Sequence, residues 1–511
     1  MGSRRTSATI ASVALKSLDE LPGPATLPFI GSPTFVKYGK AVGQYHSELV
    51  DNYKKYGAIY KETLPAGAGT VVHVFRPEDV RTVFHSNVKN PRVTPLQENI
   101  AMYREMRGRN AGLGNMNGEE WYRMRVALQQ VMMKPASVQE YLPSVNEVAA
   151  DFTTHIKENL NDEREVDMRL LGSRWYLESG GLITFERRLG AFANMANWAD
   201  RIARDNHEVV RAEVFQLTAR MRFAFPFWRV FPTKDWRRMV AIEDFICGEI
   251  DRLVEEAIDS LRNVDKPMRY LRQLVDKRTL NEESIKMALI SLFSDGLNST
   301  VPTIIYNLYL LANNPDCQLL LQEELHTVNP RKEPWTHEML TRLPYLRACI
   351  KECFRMFPLN TEIARILNED VVLSGYAIPA ETIVEMHHGL VLREPEFFPD
   401  GDVYKPARWL RREDRDPTRA FQLTPFSHGA RMCIGRRFVD QDLLVVLATL
   451  LSRFTVEHRR GPIDQVYETL LMPAGDLRFR MIPLDSSSLP PSKPTPKPLP
   501  EPKAKCPFGF S

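Results

Sequence analysis

Residues 425–437 read Pro425-Phe-Ser-His-Gly-Ala-Arg-Met-Cys-Ile-Gly-Arg-Arg437, and the apolar run that follows, 435–453, has the length and composition of a helix. Phe426, Gly429, Arg431, Cys433 and Gly435 fall in the spacing FxxGxRxCxG. Glycines at 429 and 435 let the backbone turn tightly and pass close to a flat ligand. Arg431 can hold a carboxylate through two parallel hydrogen bonds. Cys433 stands just ahead of a helix, where the dipole and the free N–H groups favour a thiolate. Phe426 can cover the sulfur and keep water from it.

This loop resembles the haem-binding loop of the haem-thiolate monooxygenases, the cytochrome P450 family. The resemblance implies haem b (iron protoporphyrin IX), with Cys433 as the iron ligand and Phe426, Arg431 and Gly435 around the cofactor. A thiolate ligand pushes electron density onto iron and favours O–O cleavage. The implied reaction is therefore insertion of one oxygen atom from O2 into a substrate.

Segments upstream agree in order. Glu352-Cys-Phe-Arg355 matches the family's ExxR, and residues three apart on a helix share a face. Pro406-Ala-Arg408-Trp409 resembles the family's later segment, so the resemblance implies a Glu352–Arg355–Arg408 network that locks the core. Trp121 and Arg125 form WxxxR, also on one helix face. In the family this pair, together with an arginine matched here by Arg365, reaches the haem propionates. Arg431 is a further cation there, and two buried propionates without cations would be costly.

Residues 285–312 read as a long apolar helix containing Ser294-Asp-Gly-Leu-Asn-Ser-Thr-Val-Pro302. The family has a small residue, glycine, any residue, an acid and then threonine. Gly296 fits; Asn298 replaces the acid; Ser299 stands at the threonine and Thr300 follows. Asn298 cannot titrate, whereas Ser299 and Thr300 can still donate hydrogen bonds. Pro302 lacks an N–H, which removes the helical partner of the Asn298 carbonyl. That carbonyl could hold a water, or Pro302 could mark an ordinary kink.

Two features resemble the mitochondrial branch of the family, which takes electrons from a small acidic ferredoxin (adrenodoxin-like). Leu177-Glu-Ser179 followed by Arg188-Leu-Gly190 is similar to a helix of that branch. Arg347 and Lys351 share a face of the ExxR helix, and Arg437 lies four residues past the cysteine. The resemblance implies that these three cations dock the ferredoxin, with opposite charges steering a transient encounter. Phe223-Ala-Phe-Pro-Phe-Trp228, flanked by Arg222 and Arg229, suits either a membrane interface or a core-packed loop.

The termini differ from the rest. Residues 1–20 are basic and hydroxyl-rich, with the first acid at Asp19, the composition of a mitochondrial targeting leader. A disordered tail and a myristoylation signal at Gly2 are the competing readings. Residues 486–511 form a Pro/Lys-rich segment that cannot pack a core. Between them, 21–485 reads as one domain: a hairpin at 57–75, helices from 76 to 356, strands within 361–390 and again within 454–484. The expected class is α+β, mainly α, a large helical part with a small β-rich part.

Six cysteines without a CxxC pair do not make a disulfide framework. A net charge of +3 on 511 residues leaves little room for a nucleic-acid binder. No apolar run is long enough to span a bilayer. The expectation is an enzyme attached peripherally to the inner mitochondrial membrane from the matrix side. It would act on a lipophilic small molecule, sterol-like or xenobiotic. A same-fold enzyme fed by a flavoprotein reductase, and a haem-binding protein with little or atypical monooxygenase activity, are the alternatives; Asn298 supports the last.

Overall fold

The helix Glu282–Ala312 organises the molecule. It is apolar on nearly every face, so it must be buried by neighbours on all sides. The Asn281 side chain caps it by accepting from the Ser284 N–H, and it runs unbroken through Pro302. The computed structural model describes residues 15–484 except 87, 89, 96, 193–206, 262–268, 277–278 and 411–419. Most of the leader, the tail from 485 and Cys506 lie outside the described residues.

Small residues let the helix Met168–Phe185 press against this central one. A Cβ on Gly172 would stand 3.0 Å from Val301, and one on Gly296 would stand 1.9 Å from the Tyr176 hydroxyl. The ExxR helix, Pro344–Met356, and the helix after the cysteine, Arg436–Leu451, complete the main core.

The β-rich part is small and mixed. Ile59–Thr63 and Thr70–Val74 form the expected hairpin. Ile383–Met386 pairs parallel with the second of these, and Ile363–Ile366 pairs antiparallel with Ile383–Met386. Tyr376–Ile378 joins Val371–Leu373 to a two-residue strand, Lys16–Ser17. The fold therefore takes in residues before position 21. A third sheet places Arg478–Pro483 between Phe454–Glu457 and Glu165–Asp167, and Asp464–Glu468 pairs with Leu470–Ala474. The result is a single mainly helical domain, as the sequence suggested. Among the described residues no helix is long and apolar enough to cross a membrane.

One buried acid in this core carries a pH prediction. Asp442, on the helix after the cysteine, is buried and accepts a 2.6 Å hydrogen bond from Ser179. Burial outweighs that bond and pushes its carboxyl up to about 7. The folded state then holds a proton that the unfolded chain releases near its ordinary value, so stability falls as pH rises from about 4 to about 7. A shift of about three units corresponds to at most about 4 kcal/mol. Asp442→Asn, which keeps an acceptor for Ser179, is expected to flatten that slope and raise the denaturation midpoint at pH 8 but not at pH 4.

Candidate active site

The cysteine loop is built from local bonds. The Cys433 N–H donates to the Phe426 carbonyl at 2.9 Å, and the Met432 N–H donates to that of Gly429 at 3.0 Å. Ser427 and Gly429 both take positive φ, 61° and 72°; at Gly429 this backbone conformation, rather than crowding, calls for glycine. Gly435 corrects an expectation. Its φ is −80°, an ordinary helical value, so no tight turn requires it. A Cβ there would meet the Cys433 Sγ at 4.0 Å, an ordinary van der Waals contact, so crowding by the protein does not require glycine either.

Protein surrounds Cys433, yet its surface is open. Both hold only if the sulfur faces an internal cleft. Burial pushes its thiol up, while the N–H groups of Gly435 and Arg436 and the Arg125 guanidinium pull it down. The N–H groups of the helix terminus favour the thiolate, as read from the sequence, but burial outweighs them; a coordinated metal ion deprotonates a thiol outright. Phe426 packs edge-on against Phe354 at 5.5 Å, behind the loop.

Three arginines gather beside this loop. Arg125 donates to the Met432 carbonyl at 2.6 Å and to Gln129 at 3.2 Å. Arg365 donates to the Ser427 hydroxyl at 3.2 Å. Arg431 lies 3.8 Å over the Trp121 ring and donates to the carbonyls of Pro91 and Met116 and to Asn117. Among the described residues, none of the three pairs with a carboxylate of this chain. Burial takes Arg365 to about 10; burial, with Arg365 and Arg125 nearby, takes Arg431 to about 9. Cations this buried and mutually repelling suit a dianionic ligand, which is what the two haem propionates would be. The residues fit the cofactor: Cys433 for the iron, and Trp121, Arg125, Arg365 and Arg431 for its acidic edge.

Each charge-assisted hydrogen bond to a propionate is worth about 1.5–3 kcal/mol. Arg365→Ala or Arg431→Ala should therefore speed haem loss to an acceptor globin by roughly ten- to a hundredfold.

The ExxR network forms as expected. Arg355 donates to both Glu352 oxygens at 2.8 and 2.9 Å, and Arg408 donates to Glu352 at 3.0 Å. Trp409 and the Lys405 N–H also donate to Glu352, a part the sequence reading did not assign.

The oxygen-activation segment is less open than expected. Asn298 is buried and its amide donates back to the Ser294 carbonyl at 3.1 Å. Thr300 is buried, and no partner is found for its hydroxyl. Ser299 is partly exposed and donates to the Asp295 carbonyl at 3.0 Å. The Thr303 hydroxyl donates to the Ser299 carbonyl at 2.8 Å.

Around the helix after the cysteine, Arg436 pairs with Asp440 at 3.6 Å. Burial raises Asp440, and Arg436, Arg347 and Arg437 are close enough to pull it back. Lys351 lies 4.2 Å over the Trp409 ring. Glu178 is buried and accepts from Arg188 and the Ala191 N–H. Arg222 turns inward to Glu362 and Glu385, which at this end of the aromatic segment favours the core-packed alternative.

A family model described as "Cytochrome P450" matches residues 21–481. The chain is 43% identical to "Probable cytochrome P450 CYP44" of Caenorhabditis elegans over 91% of this chain and 94% of that one. It is 29% identical to "Cytochrome P450 11B, mitochondrial" of Aquarana catesbeiana, covering 84% of this chain and 82% of that one. It is 26% identical to "1,25-dihydroxyvitamin D(3) 24-hydroxylase, mitochondrial" of Mus musculus, covering 92% of this chain and 90% of that one.

Proposed function

The chain belongs to the cytochrome P450 family and is a haem-dependent monooxygenase, and from that premise we propose that it hydroxylates a lipophilic small molecule in the mitochondrion with electrons from a ferredoxin. Haem b, ligated by the Cys433 thiolate, supplies the activation of O2 when bound. The overall reaction consumes O2, two electrons and two protons, and yields hydroxylated substrate and water. Around that centre the chain's own groups have separate tasks. Arg125, Arg365 and Arg431 hold the acidic edge of the cofactor. The Gly435 and Arg436 N–H groups orient the sulfur. Ser299 presents a hydroxyl toward the cleft, Asn298 bonds back along the helix to Ser294, and the Thr300 hydroxyl is left to donate.

The observation that carries the ferredoxin reading is the gathering of Arg347, Arg436 and Arg437 about Asp440, on the helix that Cys433 precedes. An acidic carrier docked there would approach the iron from the thiolate side. The mitochondrial names among the relatives support the compartment. Phe225, Phe227, Val230 and Phe231 are exposed together, while Phe223 and Trp228 are buried; the exposed four support peripheral contact with the inner membrane on the matrix side.

Charge reversal at Arg347 and Lys351 tests the partner. The double variant is expected to raise the KM for a mitochondrial ferredoxin at least about tenfold and to lose much of its salt dependence. Its reduced, carbon monoxide-bound spectrum should stay unchanged. An unchanged KM, or efficient turnover with a flavoprotein reductase instead, contradicts the reading. A second reading, a haem protein with little turnover, has one support: Asn298 cannot titrate, and its amide is committed to Ser294. Well-coupled turnover by the natural protein rules it out.

A further inference from the structure

The mixed sheet carries four titratable side chains together in its buried interior. His73 and Glu385 are direct partners in the parallel pairing of Thr70–Val74 with Ile383–Met386. His387 follows two residues after Glu385, and so returns to the same side. Glu62 stands two residues from Tyr60, the partner of His73 in the hairpin. Glu62, His73 and His387 are 1%, 2% and 0% exposed, and Glu385 is 8% exposed. Burying such groups is costly unless each is answered by a partner. Neither the haem site nor the ferredoxin surface uses them.

Three ligand atoms converge. The His73 Nδ1 lies 2.9 Å from the His387 Nε2, and the Glu385 Oε2 lies 3.8 Å from the first and 3.6 Å from the second. A point equidistant from three atoms so placed is about 2.0 Å from each, the bond length of zinc to imidazole nitrogen or carboxylate oxygen. Among the described residues no other set of three His, Cys, Asp or Glu side chains is so arranged.

The outer contacts also suit a metal, whose ligands are held in turn by carbonyls and charged groups. The Thr361 carbonyl accepts from the His387 Nδ1 at 2.8 Å, which leaves Nε2 as a lone pair. Arg222 donates to Glu385 at 3.1 Å through the other oxygen, Oε1. The Glu62 Oε2 stands 3.5 Å from the His73 Nε2, and neither atom has a hydrogen-bond partner. The bond between the histidines explains why. His387 accepts in it, so the His73 Nδ1 donates, and a neutral His73 then turns a bare Nε2 toward a carboxylate. An ion at Nδ1 moves that hydrogen to Nε2, where Glu62 can accept it. Charge points the same way: Glu62, Glu362 and Glu385 are buried carboxylates, and Arg222, paired with the last two, is a single cation. A divalent ion balances the set.

We propose that His73, Glu385 and His387 hold a zinc ion, with a water as fourth ligand, as a structural staple between the hairpin and the strand Ile383–Met386. Two imidazoles and one carboxylate suit zinc rather than calcium or magnesium, which take oxygen ligands. The ion replaces the hydrogen shared by the two rings. Each ring turns off the line between them, and their 2.9 Å contact opens to about 3.3 Å, the edge of a tetrahedron with that bond length. Nothing in the site involves Cys433 or the haem.

The test uses untagged, full-length, haem-loaded protein. After dialysis against EDTA, elemental analysis is expected to find about one zinc per chain, and absorption at the zinc edge should show nitrogen and oxygen neighbours at about 2.0 Å. His387→Gln and Glu385→Gln should each lose at least about nine-tenths of that zinc while keeping their haem. Where a variant does not fold, the natural protein decides. Stripped of metal with dipicolinate, it should melt at least about 3 °C higher with added zinc than with equal magnesium or calcium. A natural protein that carries no zinc and whose melting added zinc does not move overturns the proposal, and leaves a proton on His73 to answer Glu62. Zinc retained in full by both variants overturns it as well, since the metal is then held elsewhere.

Discussion

Replacing Arg355 by alanine should cost about 3–5 kcal/mol of stability, the price of removing one partner from a fully buried ion pair. Arg355 and Glu352 are both 0% exposed. Arg355 also donates to the carbonyls of Leu392, Gly401 and Val403 at 3.1, 2.6 and 3.2 Å. Its loss leaves Glu352 with the Arg408 guanidinium, the Trp409 N–H and one backbone N–H, and leaves the Leu392 and Gly401 carbonyls short of a donor, while Val403 keeps Arg408. Those carbonyls belong to a segment that cannot shift freely: a Cβ on Gly401 would sit 1.9 Å from the Arg393 carbonyl. Lysine is not a conservative replacement, since a point charge cannot reproduce the two-pronged bond. Glu352→Gln should be milder, because the amide keeps an acceptor for Arg355 or Arg408. Denaturant midpoints, with haem content after purification, check this. A loss under about 1 kcal/mol for Arg355→Ala would mean that the network is not what holds the cysteine side of the core.

Substitution of Cys433 should have the largest effect on chemistry and a small one on folding. The Sγ is held by two N–H groups and stands at the mouth of an open cleft, so Cys433→Ser or Cys433→Ala removes few packing contacts. Stability without haem should change by no more than about 1 kcal/mol. Turnover should fall by a thousandfold or more, about 4 kcal/mol of barrier, because the donor that favours O–O cleavage is gone. Retained turnover at even a tenth of the natural rate would contradict the assignment of Cys433.

How much of this could be read from the sequence depended on whether the partners were local. The cysteine loop, the ExxR helix and the helix through Pro302 were legible because their chemistry sits within one turn of chain. The strand Glu165–Asp167 was not: three residues carry no periodicity, and their partners, Arg478–Arg480, lie some three hundred residues on. Arg222 beside a run of aromatics left membrane interface and core-packed loop both open for the same reason, since Glu362 lies just ahead of one distant strand and Glu385 within another. Gly435 read as a turn because glycine usually means one; only its backbone angle shows that no turn requires it. The substitution at Asn298 was legible as a change of residue type, but not its direction: the structure turns it inward, with its amide on the Ser294 carbonyl.

The central claim is that Cys433 binds haem iron as a thiolate. The most direct test is the absorption spectrum of the reduced protein under carbon monoxide. A strongly red-shifted Soret band is the predicted result, and Cys433→His should abolish it while keeping haem. A band at the position given by histidine or a neutral ligand, from folded protein with full haem content, would contradict the claim and the reaction built on it.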